Sequence, residues 1–374
     1  MNRHLWEKVE RVREMVVKEF RQIIRDPRLN RIIFVTPIIQ LLLFGYAVST
    51  DVFDTALYVV DHDQTQASRA LVNGFTSSGY FRVVERSGNP ADLVRALDHG
   101  DALVGLEIPP GFARDILTPG GAQIQLLLDG TNSNTASVAG SYAERIAQSF
   151  GSRVQRRDVA TLIDLRERAW FNPDLASRDY NVPAVIGAIL MLVALLLTSL
   201  AVVREREIGT LEQLRVSPLT PGELLAGKTI PFGIIGLLDM ALVTAVAVLW
   251  FRIPFEGNPA LLLLASVLYL LATLGIGLLI STMASTQQEA FMVSFLVYMP
   301  AILLSGFMFP ISSMPESFQW LTLLNPMRYF LEMVRGLFLK GVGFEALWPQ
   351  YMALLTMGVG VLWFATARFR ARES

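Results

Sequence analysis

The chain has 374 residues, of which 52 % are hydrophobic and only 17 % charged, and its mean hydropathy of +0.44 puts it in the membrane class. A net charge of −1 gives no argument for nucleic acid, and the absence of cysteine excludes disulfides, zinc–thiolate sites and thiol catalysis together. The three histidines, His4, His62 and His99, are too scattered for a metal cluster.

Residues 5–25 are charged and amphipathic, with Leu5, Val9, Val12, Val16, Phe20 and Ile23 recurring at helical spacing. A basic amphipathic helix beside a span lies in the headgroup plane, so residues 1–30 are expected to form a cytoplasmic interfacial helix that Asp26-Pro27 ends. Residues 31–50 are the expected first transmembrane helix. Ala47-Val48-Ser49 loosely resembles a signal cleavage site, but a long charged lead with several acids is wrong for a signal peptide, and the span is expected to stay uncleaved.

Residues 51–181 then read as an ordinary soluble sequence. Strands are expected at 57–60, 81–84, 102–108 and 123–128, and helices at 66–75, 91–97, 110–117 and 135–168. Alternating strands and helices argue a small α/β domain with a mixed sheet. No nucleophile–base arrangement stands out in it, and His62 and His99 sit in turn-like contexts as surface residues.

Residues 182–374 carry five more apolar runs, at 183–203, 230–251, 261–283, 290–309 and 350–367, each about the length a span needs. The expected fold is therefore a polytopic α-helical membrane protein with six transmembrane helices, the α/β extracytoplasmic domain inserted between helices 1 and 2. Lysine and arginine concentrate in the N-terminal lead, in the 204–229 loop and in the tail (Arg368, Arg370, Arg372), which puts those segments and both termini in the cytoplasm.

The loop at 204–229 is built as two capped helices. Thr210 with Gln213 reads as a capping box opening a short helix that Pro218 stops; Thr220, Pro221 and Glu223 repeat the device and open the next span. Exposed charges on a structured loop suit docking of a soluble partner; the bland alternative is that the helices only tidy a turn. Gly222, Gly227, Lys228 and Thr229 match the phosphate-loop pattern G-x-x-x-x-G-K-[ST] letter for letter. We reject the match: Glu223, Leu224, Leu225 and Ala226 are good helix formers, no strand precedes them, and a span follows.

Asp239 stands in the middle of its apolar run, where a charge costs at least roughly 2.5–3.5 kcal/mol on insertion scales. Two readings stay open: a substrate, cation or proton contact, or a protonated acid hydrogen-bonded to a neighbouring span. Residues 311–348 read as an outer re-entrant helical hairpin, broken at Asn325-Pro326, with Arg328, Glu332 and Arg335 spaced to pair along one face.

Four stretches then carry a resemblance: Lys18-Glu19-Phe20 with Arg25-Asp26-Pro27-Arg28; Arg204-Glu205-Arg206-Glu207 with Gly209-Thr210-Leu211-Glu212; Ser217-Pro218 up to Lys228; and Leu304-Ser305-Gly306 with Phe309-Pro310, Asn325-Pro326 and Arg335-Gly336. In this order, and over essentially the whole chain, they resemble the permease subunits of type-2 ABC transporters, most closely the bacterial multidrug-efflux subgroup with a large periplasmic domain. The resemblance implies an exporter subunit of the bacterial inner membrane, moving a hydrophobic or drug-like substrate outward. It has no ATPase site of its own; ATP and magnesium are bound by a separate ABC ATPase. It implies that Arg204, Glu205, Arg206, Glu207, Gly209, Thr210, Leu211, Glu212 and Pro218 couple to that ATPase, with Glu205, Glu207 and Glu212 as charged contacts. A second permease, identical or paralogous, membrane lipids and a periplasmic adaptor protein complete the implied partners. Rival classes are an ion-coupled secondary transporter working through Asp239, which lacks a visible inverted repeat, a membrane-anchored scaffold with an outer partner-binding domain, and an intramembrane hydrolase, which lacks H-E-x-x-H or a dyad in the spans.

Overall fold

The computed structural model describes residues 2–47, 54–118, 121–131, 133–155, 177–209 and 220–373. It divides into two compact units: Thr50–Arg168, and Met1–Ser49 with Ala169–Ser374.

The larger unit is helical. Helix α1 (Asn2–Arg25) stops where expected, because Pro27 disfavours helical backbone at Asp26. A single turn, α2 (Pro27–Asn30), and a π-helical turn at Arg31–Val35 lead into α3 (Thr36–Ala47).

Beyond the smaller unit in sequence, the larger one continues with α8 (Ser177–Ile208), α9 (Pro221–Leu249), α10 (Pro259–Met283), α11 (Gln287–Leu303), α12 (Glu316–Thr322), α13 (Pro326–Arg335) and α14 (Phe344–Glu373). The starts follow the cap chemistry of the sequence: Asn258, Thr286 and Asn325 each accept a first-turn backbone N–H, and Pro259 and Pro326 occupy the first helical position.

Four helices are long and apolar enough to cross a membrane, at Ser177–Ile208, Gly222–Leu249, Pro259–Met283 and Phe344–Ala371. The other two expected spans fall on shorter helices. The first apolar helix covers Ile33–Tyr46. The 290–309 run is not one helix: it stops at Leu303, and Gly306, at φ +81°, turns the chain in a left-handed conformation that a Cβ would strain. Ser305 fixes that turn by donating to Ile302 O at 2.6 Å and accepting from Phe307 N at 3.1 Å.

The core of this unit lies where α8, α10 and α13 meet. Tyr269 stacks on Phe330 with ring centroids 4.2 Å apart and donates its hydroxyl to Gly187 O at 2.9 Å, so the one polar atom of the pair is satisfied.

In the smaller unit, β1 (Thr55–Asp61), β2 (Phe81–Ser87), β3 (Val104–Ile108) and β4 (Gln125–Leu128) form a mixed sheet in the order β2-β1-β3-β4, with β1 parallel to both neighbours and β4 antiparallel to β3. The helices are α4 (Gln66–Ser77), α5 (Pro90–His99), α6 (Phe112–Asp115) and α7 (Ser133–Gln155). Central β1 is buried on both faces: Leu57 and Val59 pack with Leu71, Phe75 and Ala143 on one side, Tyr58 and Val60 with Leu93 and Ala96 on the other. That two-sided burial is why its sequence reads as an unbroken apolar run. The part of the expected 135–168 helix beyond Gln155 lies outside the described residues.

Candidate functional site

The site is assembled around the start of α9. Thr220 and Glu223 form the expected capping box: Thr220 Oγ1 accepts from Glu223 N at 3.4 Å, and Glu223 Oε2 accepts from Thr220 N at 2.8 Å. The other oxygen of Glu223 accepts from Arg11 Nη2 at 2.8 Å, which fastens α1 to the first turn of α9. One turn on, Gly227 leaves no room for a side chain, since a Cβ there would stand 2.6 Å from Met15 Cγ. Met15 fills that gap within a buried cluster with Val202, Leu224, Leu225, Leu278, Ala365 and Phe369.

Lys228 is the centre of the arrangement. Its side chain is only 3 % exposed, and its ammonium donates to Glu205 Oε1 at 3.0 Å, to Ala201 O at 3.2 Å and to Glu19 Oε1 at 3.3 Å. Its three donors are therefore all used, and α1, α8 and α9 meet at one charge. Lys18 stands 3.6 Å from Glu19 and 3.8 Å from Glu205, supplying a second positive charge to the two carboxylates. This also disposes of the phosphate-loop match on physical grounds: residues 222–229 are helix, the backbone N–H of Glu223 is taken by the Thr220 cap and that of Leu224 by Thr220 O, and the lysine is committed to glutamates.

The end of α8 is tied elsewhere as well. Arg206 Nη1 donates to Ala284 O at 2.7 Å, and Glu207 accepts from Gln287 N at 2.8 Å and from the Gln287 side-chain amide. Glu205 and Glu207, expected as open charges for a partner, thus differ. Glu205 is turned inward to Lys228, whereas Glu207 stays exposed while bridging to the start of α11. Arg204 is half-buried in the same last turn, and Gly209 ends it at φ +81°. Thr210, Leu211, Glu212 and Pro218, with the Thr210 cap, lie outside the described residues.

Sequence reasoning did not pair Arg11 with Glu223, or Lys228 with Glu19 and Glu205. A signal was present: Glu19 lies on the Met15–Ile23 stripe of α1, and Lys228 follows Leu224 and Leu225 on the buried face of α9. A lone charge on the apolar face of each of two helices implies that the charges pair.

Asp239 is 0 % exposed, and neither carboxylate oxygen has a hydrogen-bond partner among the described residues. A hydrogen bond to a neighbouring span, one of its two open readings, is therefore not found.

In the 311–348 segment, Asn325 accepts from Met327 N at 3.1 Å and donates to Ala301 O at 2.7 Å, locking the helix start at Pro326 against the end of α11. Arg328 pairs with Glu332 at 3.5 Å, and Glu332 accepts from Gln350 at 3.1 Å. The expected triad is incomplete. Arg335 donates to Gly306 O at 3.1 Å and lies 3.7 Å above the Tyr180 ring, because at the end of α13 it faces α8 and the Gly306 turn.

Residues 31–367 match the family model described as ABC-2 family transporter protein. The probable multidrug ABC transporter permease YbhR of Escherichia coli strain K12 is 34 % identical over 359 residues, covering 96 % of this chain and 98 % of that protein. The probable multidrug ABC transporter permease YbhS of the same strain is 35 % identical over 368 residues, with 96 % and 97 % covered. The inner membrane transport permease YhhJ, also from that strain, is 31 % identical over 371 residues, 95 % of each chain.

Proposed function

The chain belongs to the ABC-2 family of transporter proteins, and from that premise we propose that it is the permease subunit of an ATP-driven exporter. It moves a hydrophobic or drug-like substrate outward across the inner membrane, while a separate ABC ATPase binds and hydrolyses ATP. Six helices cross the membrane, both termini are cytoplasmic, and the Thr50–Arg168 unit lies on the outer side. A second permease pairs with it, and a periplasmic adaptor joins the outer unit. The names of YbhR and YbhS support the multidrug reading of the substrate.

One observation carries the proposal. The Lys228 tie joins α1, α8 and α9 at the two ends of the 210–219 segment, so force applied to that segment is delivered to three helices together. On this reading Glu205 is a transmitting residue, held inside, and Glu207 is the exposed contact at the partner's surface. The test is a mild-detergent pull-down of the C-terminally tagged chain from its native membrane. An ABC ATPase should accompany it and be lost when residues 210–219 are scrambled.

A second reading has its own observation: the Asp239 carboxyl, without a hydrogen-bond partner among the described residues, suits an ion-coupled carrier. A chain that purifies without any ATPase yet still moves substrate in vesicles under an ion gradient decides for that reading and against the first.

A further inference from the structure

At the C-terminal end of α1, an open groove of about 670 Å³ is lined by Lys18, Arg21, Gln22, Arg25, Asp26 and Pro27. Lys18, Arg21 and Arg25 follow at i, i+3 and i+7, so three cationic heads leave one side of the helix. Arg21 and Arg25 are exposed, and among the described residues neither has a hydrogen-bond or ion-pair partner. Lys18 is shared with Glu19 and Glu205, but both of those carboxylates are already held by Lys228. Among the described residues, Asp26 is the single acid in the lining, set against three cations.

The surroundings say what kind of anion fits. Ile24, between the two arginines, is 66 % exposed, and the apolar helix just beyond the groove exposes Phe34, Val35, Ile39 and Leu43. A phosphate bound by the arginines thus has an uncovered apolar surface leading away from it. Among the described residues none in the lining is aromatic to stack a nucleotide base, and the exposed apolar neighbours are unsuited to an acidic, soluble peptide.

We infer that the Lys18–Arg21–Arg25 groove binds the headgroup phosphate of an anionic phospholipid whose acyl chains run along α3. Arginine and lysine both hold phosphate, the guanidinium through its fork and the ammonium as a point charge, so here it is the positive charge that selects the lipid. The bound lipid would hold the α1–α3 elbow at the membrane surface, adding a lipid-borne contact to the ties made through Glu223 and Lys228.

The full chain, purified in a neutral detergent, is titrated with phosphatidylglycerol or phosphatidylcholine and the retained lipid is counted by native mass spectrometry. Phosphatidylglycerol should be retained preferentially, less so at high salt. The Arg21→Gln/Arg25→Gln variant should weaken that retention roughly thirtyfold, with phosphatidylcholine unaffected. Arg21→Lys/Arg25→Lys, which keeps both charges, should retain the preference, and it serves as the test if the glutamine variant does not fold. The inference is overturned by equal retention of the two lipids in the parent chain, by unchanged retention in the glutamine variant, or by loss of preference in the lysine variant. Glycerol phosphate competing as well as phosphatidylglycerol would make this a free-anion site and overturn it too. Loss of a co-purifying ATPase with phosphatidylglycerol retention intact would make it a protein contact, with the same consequence.

Discussion

Lys228 and Arg11 both hold glutamates, yet their surroundings give the two pairs different weights. Lys228 is 3 % exposed between Glu19 and Glu205, whereas the Arg11 side chain is 29 % exposed. Removing Lys228 leaves two carboxylates together with only the half-exposed Lys18 as counter-charge, and breaking a buried pair costs about 3–5 kcal/mol. The Arg11–Glu223 pair is only partly buried, and Glu223 keeps its bond from Thr220 N when Arg11 is lost, so breaking it costs less. Lys228→Ala should therefore lower the melting temperature of the detergent-purified chain far more than Arg11→Ala. Equal effects would show that water reaches the Lys228 cluster.

Asp63 gives a second residue-scale expectation. Burial pushes its carboxyl up, but the Thr65 hydroxyl and the backbone N–H groups of Ala113, Gly111 and Phe112 outweigh that and hold it below the usual carboxylate value. Because the folded value lies below the unfolded one, about 3.9, the ionised group contributes stability above that pH, and the contribution is lost as pH falls through the folded value. Hydrogen-exchange protection across 54–118, corrected for intrinsic rate, should fall on acidification below about pH 4. In Asp63→Asn the fall should be shallower; identical pH profiles would remove Asp63 as its source.

Between elements, the contact that matters most is the crossing of α1 over α9. It depends on Gly227, whose missing side chain admits Met15. Gly227→Leu should overfill the crossing, cost about 1–3 kcal/mol and lift α1 away. The chain has no native cysteine, so Arg11→Cys/Glu223→Cys can report the crossing without background. The pair should cross-link readily in the parent and poorly with Leu at 227. A cross-link that survives would mean that α1 is held by its other contacts. The same crossing corrects the simplest picture of an interfacial helix: one face of α1 is buried against protein at Met15, Glu19 and Ile23, while Trp6, Val9 and Ile24 remain exposed.

For the molecule as a whole, the proposed function requires a defined sidedness of the helices. Exposed apolar side chains run along α9 (Ile230, Ile234, Leu238), α11 (Phe291, Phe295, Leu296) and α14 (Val359, Trp363, Phe364), more than a soluble surface carries. In the proposed arrangement, a tag at Ser374 is protected from protease in right-side-out cells and one after Thr50 is cleaved. The reverse pattern would invert the topology and move residues 204–229 away from any cytoplasmic ATPase.

What the sequence determined by itself was whatever neighbours along the chain decide. Hydropathy located the long apolar helices, Thr220 with Glu223 announced the capping box, and the apolar run at 57–60 marked a strand. The phosphate-loop letters could be discarded because local helix propensity already contradicted them. Only the tertiary structure decided which charges meet. Lys228 and Glu19 are 209 positions apart, and no local period links them. It also decided that the 290–309 run stops at Leu303, and that Arg335 turns from Glu332 towards Gly306 and Tyr180. The physical reason is the same in each case. A buried polar group must find a partner, and the partner available is set by which helices the fold brings together.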